Sequence, residues 1–208
     1  MALPTYPLSI PSSPSNFRTS DWRIVRSVAV NVSPFTMAQQ SGDFGGSVWQ
    51  TTVTLPPMKR DEADEWQVFF MQLHGRYGTF LLGDPDAKTI QGAEDSSPTV
   101  NGAHSVGAYD IAIQCAKVSS TVFKKGDYVQ FGTGATSKLH MVVADITSNA
   151  SGNATLQIEP ALKSALSDDA TITYSSPKAV MRMDNNDLGW SADEISVYGI
   201  SFSCTESI

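Results

Sequence analysis

Three histidines and two cysteines give this chain few ways to hold a transition metal or run nucleophilic chemistry. His74 closes a helical run, His104 sits in a polar connection, and His140 stands in a strand-like run beside Leu139 and Met141. None has a second ligand at the spacing a zinc site requires, so no metal is expected. Cys115 and Cys204 fit no zinc or redox spacing. Each sits in an apolar strand-like stretch, which favours two buried thiols, with a disulfide between them left open. No Gly-x-Ser-x-Gly elbow or other nucleophile signature occurs, so no catalytic residue, no cofactor and no enzymatic activity are expected.

Three polar clusters remain. "GTGATSK", residues 132 to 138, has the glycines of a phosphate loop but lacks the Gly-Lys pair. It also runs into a strand, where phosphate binding needs a helix N-terminus. It reads as a turn. "DNNDLGWSADE", from Asp184, begins like a calcium loop, yet Leu188 and Ile195 occupy positions that must supply oxygen. Asp61, Glu62, Asp64 and Glu65 read as the solvated first turn of a helix, where negative charge is favoured.

The elements around these residues are mostly strands. In "DWRIVRSVAVNV", Trp22, Ile24, Val28, Val30 and Val32 share one parity, as a half-buried strand requires. Arg26 interrupts that face, so this end of the strand is expected at a rim or a partner. "SVWQTTVTLPP" places Trp49, Thr51, Val53 and Leu55 on one side before two prolines end it. "MAQQSGDFGGS", between the two runs, reads as a turn-rich loop.

One helix is expected over about 61–74. Ala63, Trp66, Phe69, Phe70 and Leu73 recur at three- and four-residue spacing and make one apolar face. His74 and Gly75 form its stop, with Gly75 suited to the left-handed conformation. "RYGTFLLGDP" then leaves as a strand. Trp22, Trp49, Trp66, Phe70, Leu73 and Phe202 are the expected core.

After Gln91 a polar connection leads to five short strand signals, with a long hairpin expected around "SNASGN". Their close spacing fits a small barrel, OB-like or sandwich domain. The last run, "EISVYGISFSC", places Ser196, Tyr198, Ile200, Phe202 and Cys204 on one face and is expected to return to the first sheet. The expected fold is therefore mainly β. Residues 1–94 plus 177–208 form a β-sandwich with one packed helix, and 95–176 form an inserted β domain separable from it.

Composition sets the remaining bounds. The formal charge of −7 is unsuited to gripping a phosphate backbone. No apolar run approaches the roughly 20 residues that span a bilayer, so no membrane insertion is expected. "MALPTYPLSIPSSPS" lacks a basic start and is broken by prolines, so it reads as an extended arm and not as a signal peptide.

"LPPMKRDEADEWQVFFMQLHGRYGTFLLGDP" resembles a segment of the distal tail proteins, the tail-tip or baseplate ring proteins of long-tailed bacteriophages. "KKGDYVQFG", "ITSNASGNATLQIEPAL" and "YSSPKAVMRM" resemble their inserted part, and "VYGISFSCTES" their closing strand. Together these span about 150 residues, from Leu55 to Ser207. The resemblance implies a virion protein assembled in the bacterial host, a homo-hexameric ring between the tail tube protein and the tail-tip hub protein. DNA would pass through its lumen without being specifically bound. Two other readings compete. One is another structural role in the virion. The other is a carbohydrate-binding module for the host surface, for which Tyr109, Tyr128, Phe131 and Tyr174 are the available rings.

Overall fold

Apolar side chains at alternate positions drive most of this chain into strands, and the one run at helical spacing becomes the one helix. A computed structural model describes residues 4–14, 16–187, 189–192 and 197–208. Leu188, Ile195 and Ser196, named above, lie outside the described residues.

The chain opens with β1 (Leu8–Ser9), β2 (Thr19–Val32), β3 (Gln39–Thr54), α1 (Arg60–Leu73) and β4 (Phe80–Leu82). The middle part contributes β5 (Thr99–Val100), β6 (Asp110–Gln114), β7 (Thr121–Phe123), β8 (Tyr128–Phe131) and β9 (Lys138–Val142). It continues with β10 (Ile146–Thr147), β11 (Asn153–Glu159) and β12 (Ile172–Thr173). The closing part is β13 (Ala179–Met183), β14 (Trp190–Ala192) and β15 (Tyr198–Glu206).

The outer segments build one sheet in the order β1-β4-β13-β15-β3-β2, with β14 paired to β15. The middle segment builds its own sheet, β12-β8-β9-β11-β6-β5, and a small ladder of β10 with β7. The fold is mainly β with one helix, and one of its sheets curls nearly shut into a barrel.

The helix lays Trp66, Phe69, Phe70 and Leu73 on the first sheet, meeting Phe202 of β15 and Phe80 of β4. Ring centroids lie 5.3–6.2 Å apart in tilted and edge-on pairs, the arrangement that ring quadrupoles favour. The helix ends in two left-handed residues. His74 takes the C-cap at φ 51°, and Gly75 follows at 65°. The stop falls on the two residues expected, and the left-handed conformation expected of Gly75 is already taken by His74, a residue type enriched in that region. Before the helix, the Pro-rich segment lies back on it, and the Trp66 indole donates to the Ser13 carbonyl at 2.8 Å.

Three expectations change. The "loop" of residues 37–47 is mostly strand. Only about 33–38 turn, and from Gln39 the chain pairs with β2 in register, Val32↔Gln39 to Val28↔Asp43. Cross-strand pairing overrides the turn preference of the glycines there, and Gly45 at φ 73° lies in the stretch where the register shifts. The hairpin around "SNASGN" is not formed as expected. β10 pairs with β7, while β11 runs mainly along β6 and meets β9 only at Ile158↔Val142 and Glu159↔Met141. The alternation of Leu156 and Ile158 set the faces of β11 but could not name its neighbour. The polar connection also holds a short strand, β5, on the edge of β6.

The middle segment has its own core around Ile111, Ile113, Phe123, Val129 and Leu156. Its packing reaches back to Ile90, and Ala93 and Glu94 hydrogen-bond to the backbone of Thr121 and Val122. Tyr128 and Leu139 of this segment belong to the core of the outer sheet, so the two cores touch.

Candidate assembly surface

β2 and β3 outgrow the body that they help to build. At their roots the inward face is covered: Trp49, Thr51 and Val53 are buried, and Trp22 and Ile24 are half-buried. Past Arg26 the ribbon continues with side chains on both faces exposed, Ala29 alone being partly covered between Ser27 and Val32. The valine parity does not stop there. Val28, Val30 and Val32 lie opposite Asp43, Ser41 and Gln39, and all three valines are exposed. At the tip Phe35 is 95% exposed and Met37 74%, and Phe44 on the returning strand is 73% exposed.

A two-stranded ribbon standing alone is marginal in water. An apolar stripe on a free ribbon with an open edge is a template for association. The sheet's inward pattern thus runs past the end of its own core, onto an apolar surface that lies in solvent. In the sequence, only the break at Arg26 marked this place.

The expected core residues lie as follows. Trp66, Phe70, Leu73 and Phe202 are buried together between helix and sheet. Trp49 is buried at the junction with the middle segment, its ring 5.7 Å from that of Tyr128. Trp22 is half-buried, packs edge-on to Trp49 at 6.2 Å and donates to the Ser20 hydroxyl.

The junction holds the polar residues that sequence reading missed. Glu206 is fully buried, and one of its oxygens accepts from the Trp49 backbone N–H at 3.1 Å and from Lys163. Burial lowers the Lys163 pKa while Glu206 opposes that shift. Lys138, also lowered by burial, donates to the Ser207 carbonyl at 2.6 Å. His140 is buried, and its Nδ1 donates to the Pro160 carbonyl at 2.7 Å, which leaves Nε2 bare and unpaired. Burial pushes this imidazole down to about 4, and Lys163 and Lys138 add to the effect. Arg26, the break in the valine stripe, pairs with Glu159 of the middle segment at 2.9 Å.

Several of the remaining chemistry-bearing residues have structural partners. The Ala112 N–H donates to His104 Nε2. Asp184 accepts from Thr205 and Gln50, and Asn186 accepts from the Arg76 N–H, so the Asp184 loop is tied to the sheet. Residues 133 to 136 form a self-capped 3-10 turn. Both cysteines are free and buried, and burial raises each thiol, that of Cys115 to about 12. Among the described residues no group of three or more His, Cys, Asp or Glu is placed to hold a metal, and no helix is long and apolar enough to cross a membrane.

Of the four rings available for a glycan, Tyr128 and Phe131 are buried and Tyr174 packs on Phe123, which leaves Tyr109 exposed. Comparison of the sequence with protein-family models gives no match, and comparison with curated proteins gives none either.

Proposed function

We propose that this chain is a structural subunit of a bacteriophage tail tip, a ring protein that joins the tail tube to the tail-tip hub. The observation that carries the assembly is the β2–β3 arm, whose apolar face continues beyond the core and requires a covering surface. A neighbouring copy supplies that surface in a ring. The placement in a phage tail rests on the resemblance of residues 55 to 85 and of the closing strand to distal tail proteins. The buried thiols and the structural pairing of the polar clusters fit a scaffold better than a catalyst.

Light scattering and native mass spectrometry of the purified chain test the reading. A stable hexamer, seen as a ring by negative-stain electron microscopy, is the expected result. A chain that stays monomeric at high micromolar concentration and binds glycans, with Tyr109 required, overturns it in favour of a host-surface module.

A further inference from the structure

The register of the β2–β3 ribbon breaks at one place. Arg26 lies opposite Ser47 and Val28 opposite Asp43, so Ser27 alone faces Phe44, Gly45 and Gly46. Extra residues on one strand of an antiparallel pair interrupt the ladder and bend the strand that carries them. Little stiffens the bend here. Gly45 stands at φ 73°, a conformation that favours glycine, and a side chain at Gly42 or Gly45 would meet nothing within 4 Å. The Asp43 carboxylate accepts from the Gly45 N–H at 2.8 Å and closes the bend on itself. Among the described residues, the side-chain and turn hydrogen bonds of 27–46 all stay within the ribbon.

An ion pair from outside the first sheet reaches this joint. Arg26, the last residue of β2 before the bend, donates from Nη2 to Glu159 Oε2 at 2.9 Å, and the two side chains are 40% and 33% exposed. Glu159 ends β11 and pairs with Met141 of β9, so the barrel-like sheet of the inserted segment fixes its position. An ion pair this exposed shifts an equilibrium by no more than about five-fold, which biases the arm without locking it. From Arg26 to Val32, at about 3.3 Å per residue, the ribbon extends roughly 20 Å before it turns. A small rotation at the joint therefore becomes a large displacement of Phe35.

We infer that the bulge at residues 44–46 is a hinge for the arm, and that Glu159 of the inserted segment, gripping Arg26, holds this hinge in one direction. The inserted segment thus sets where the arm points, and anything that draws Glu159 away frees it. Arg26 is a positioning residue, and the device acts within one chain whether or not copies meet.

Spin labels on Thr36→Cys in the arm and Thr155→Cys on β11 read that direction as a distance within the full chain. Both sites are exposed, and the native thiols are buried and do not compete. Labelled chains are measured as dilute monomers, with Val30→Asp added where a multimer persists. Double electron–electron resonance should give one narrow distance in the otherwise parental chain. Glu159→Gln and Arg26→Gln should each spread it, raising the share of other directions by about two- to five-fold. The exchanged pair, Arg26→Glu with Glu159→Arg, should narrow it again. A broad distribution in the parental chain overturns the inference, because the pair then holds nothing. A distribution as narrow in Glu159→Gln as in the parent also overturns it, because the ribbon's own backbone then fixes the direction. Spread distances in the exchanged pair would mean that charge is not what grips the arm, and the inference fails there too.

Discussion

The indole N–H of Trp49 donates to the Leu139 carbonyl at 2.8 Å, tying the outer sheet to the inserted segment through a buried hydrogen bond. Trp49→Phe keeps a ring in place but strands that carbonyl, and an unsatisfied buried acceptor costs about 1–3 kcal/mol. Trp49→Ala also removes the packing on Trp22 and Tyr128 and should cost about 3–5 kcal/mol. Urea denaturation of both variants beside the parent checks the ranking. Equal losses would mean that the hydrogen bond contributes nothing separable from the ring.

Phe70 touches Trp66, Phe69 and Phe202 inside the helix-sheet core. Phe70→Ala should therefore destabilise by about 3–5 kcal/mol, a large share of the roughly 5–15 kcal/mol that holds a typical domain. Its effect on assembly should vanish when oligomeric mass is measured well below its melting point. Normal melting with lost assembly would instead make Phe70 an interface residue.

Val30 reverses that pattern. It is exposed on the arm opposite Ser41, so Val30→Asp should change the stability of the free chain by no more than about 0.5 kcal/mol. Under the proposed assembly it should reduce the multimer strongly, because a charge would be buried there without a partner. Sedimentation velocity of parent and variant reads the difference directly. An unchanged distribution would show that this face of the arm stays in solvent.

His140 makes stability depend on acid. Its folded pKa, about 4, lies below the ordinary 6.5, so between those values the unfolded chain binds more protons than the folded one. Stability is then fully present above about pH 6.5 and declines as the pH falls towards 4, by up to about 3 kcal/mol. Denaturant midpoints across pH 4 to 7 should show this slope, and His140→Asn, which can still donate to Pro160, should flatten it. A parent chain with no slope in that window would mean that the imidazole is not held neutral.

The sequence made the periodic elements legible and left their partners obscure. Spacing alone located the helix, its buried rings and the inward faces of β3 and β15, because burial writes itself as a period of 3.6 or 2. It misread residues 39 to 46, where glycine and polar residues look like a turn until β2 is known to run beside them. It gave no sign that Glu206 and Lys163, distant in sequence, would be buried together, since an ion pair of this kind leaves no periodic trace. The arm was half legible. Arg26 marked the place where the strand leaves its own body, but nothing in the run of valines says that their face ends in solvent.

Because the arm is fastened only at its root, its full ordering in the proposed assembly would be deferred to the moment of association. Amide protons from about residue 27 to 46 should exchange through local opening in the free subunit, while those of β15 should wait for global unfolding. Docking would supply the missing cover and slow exchange along the ribbon. The affinity between copies would then be lowered by the cost of ordering the arm and raised by any bond that rigidifies it beforehand.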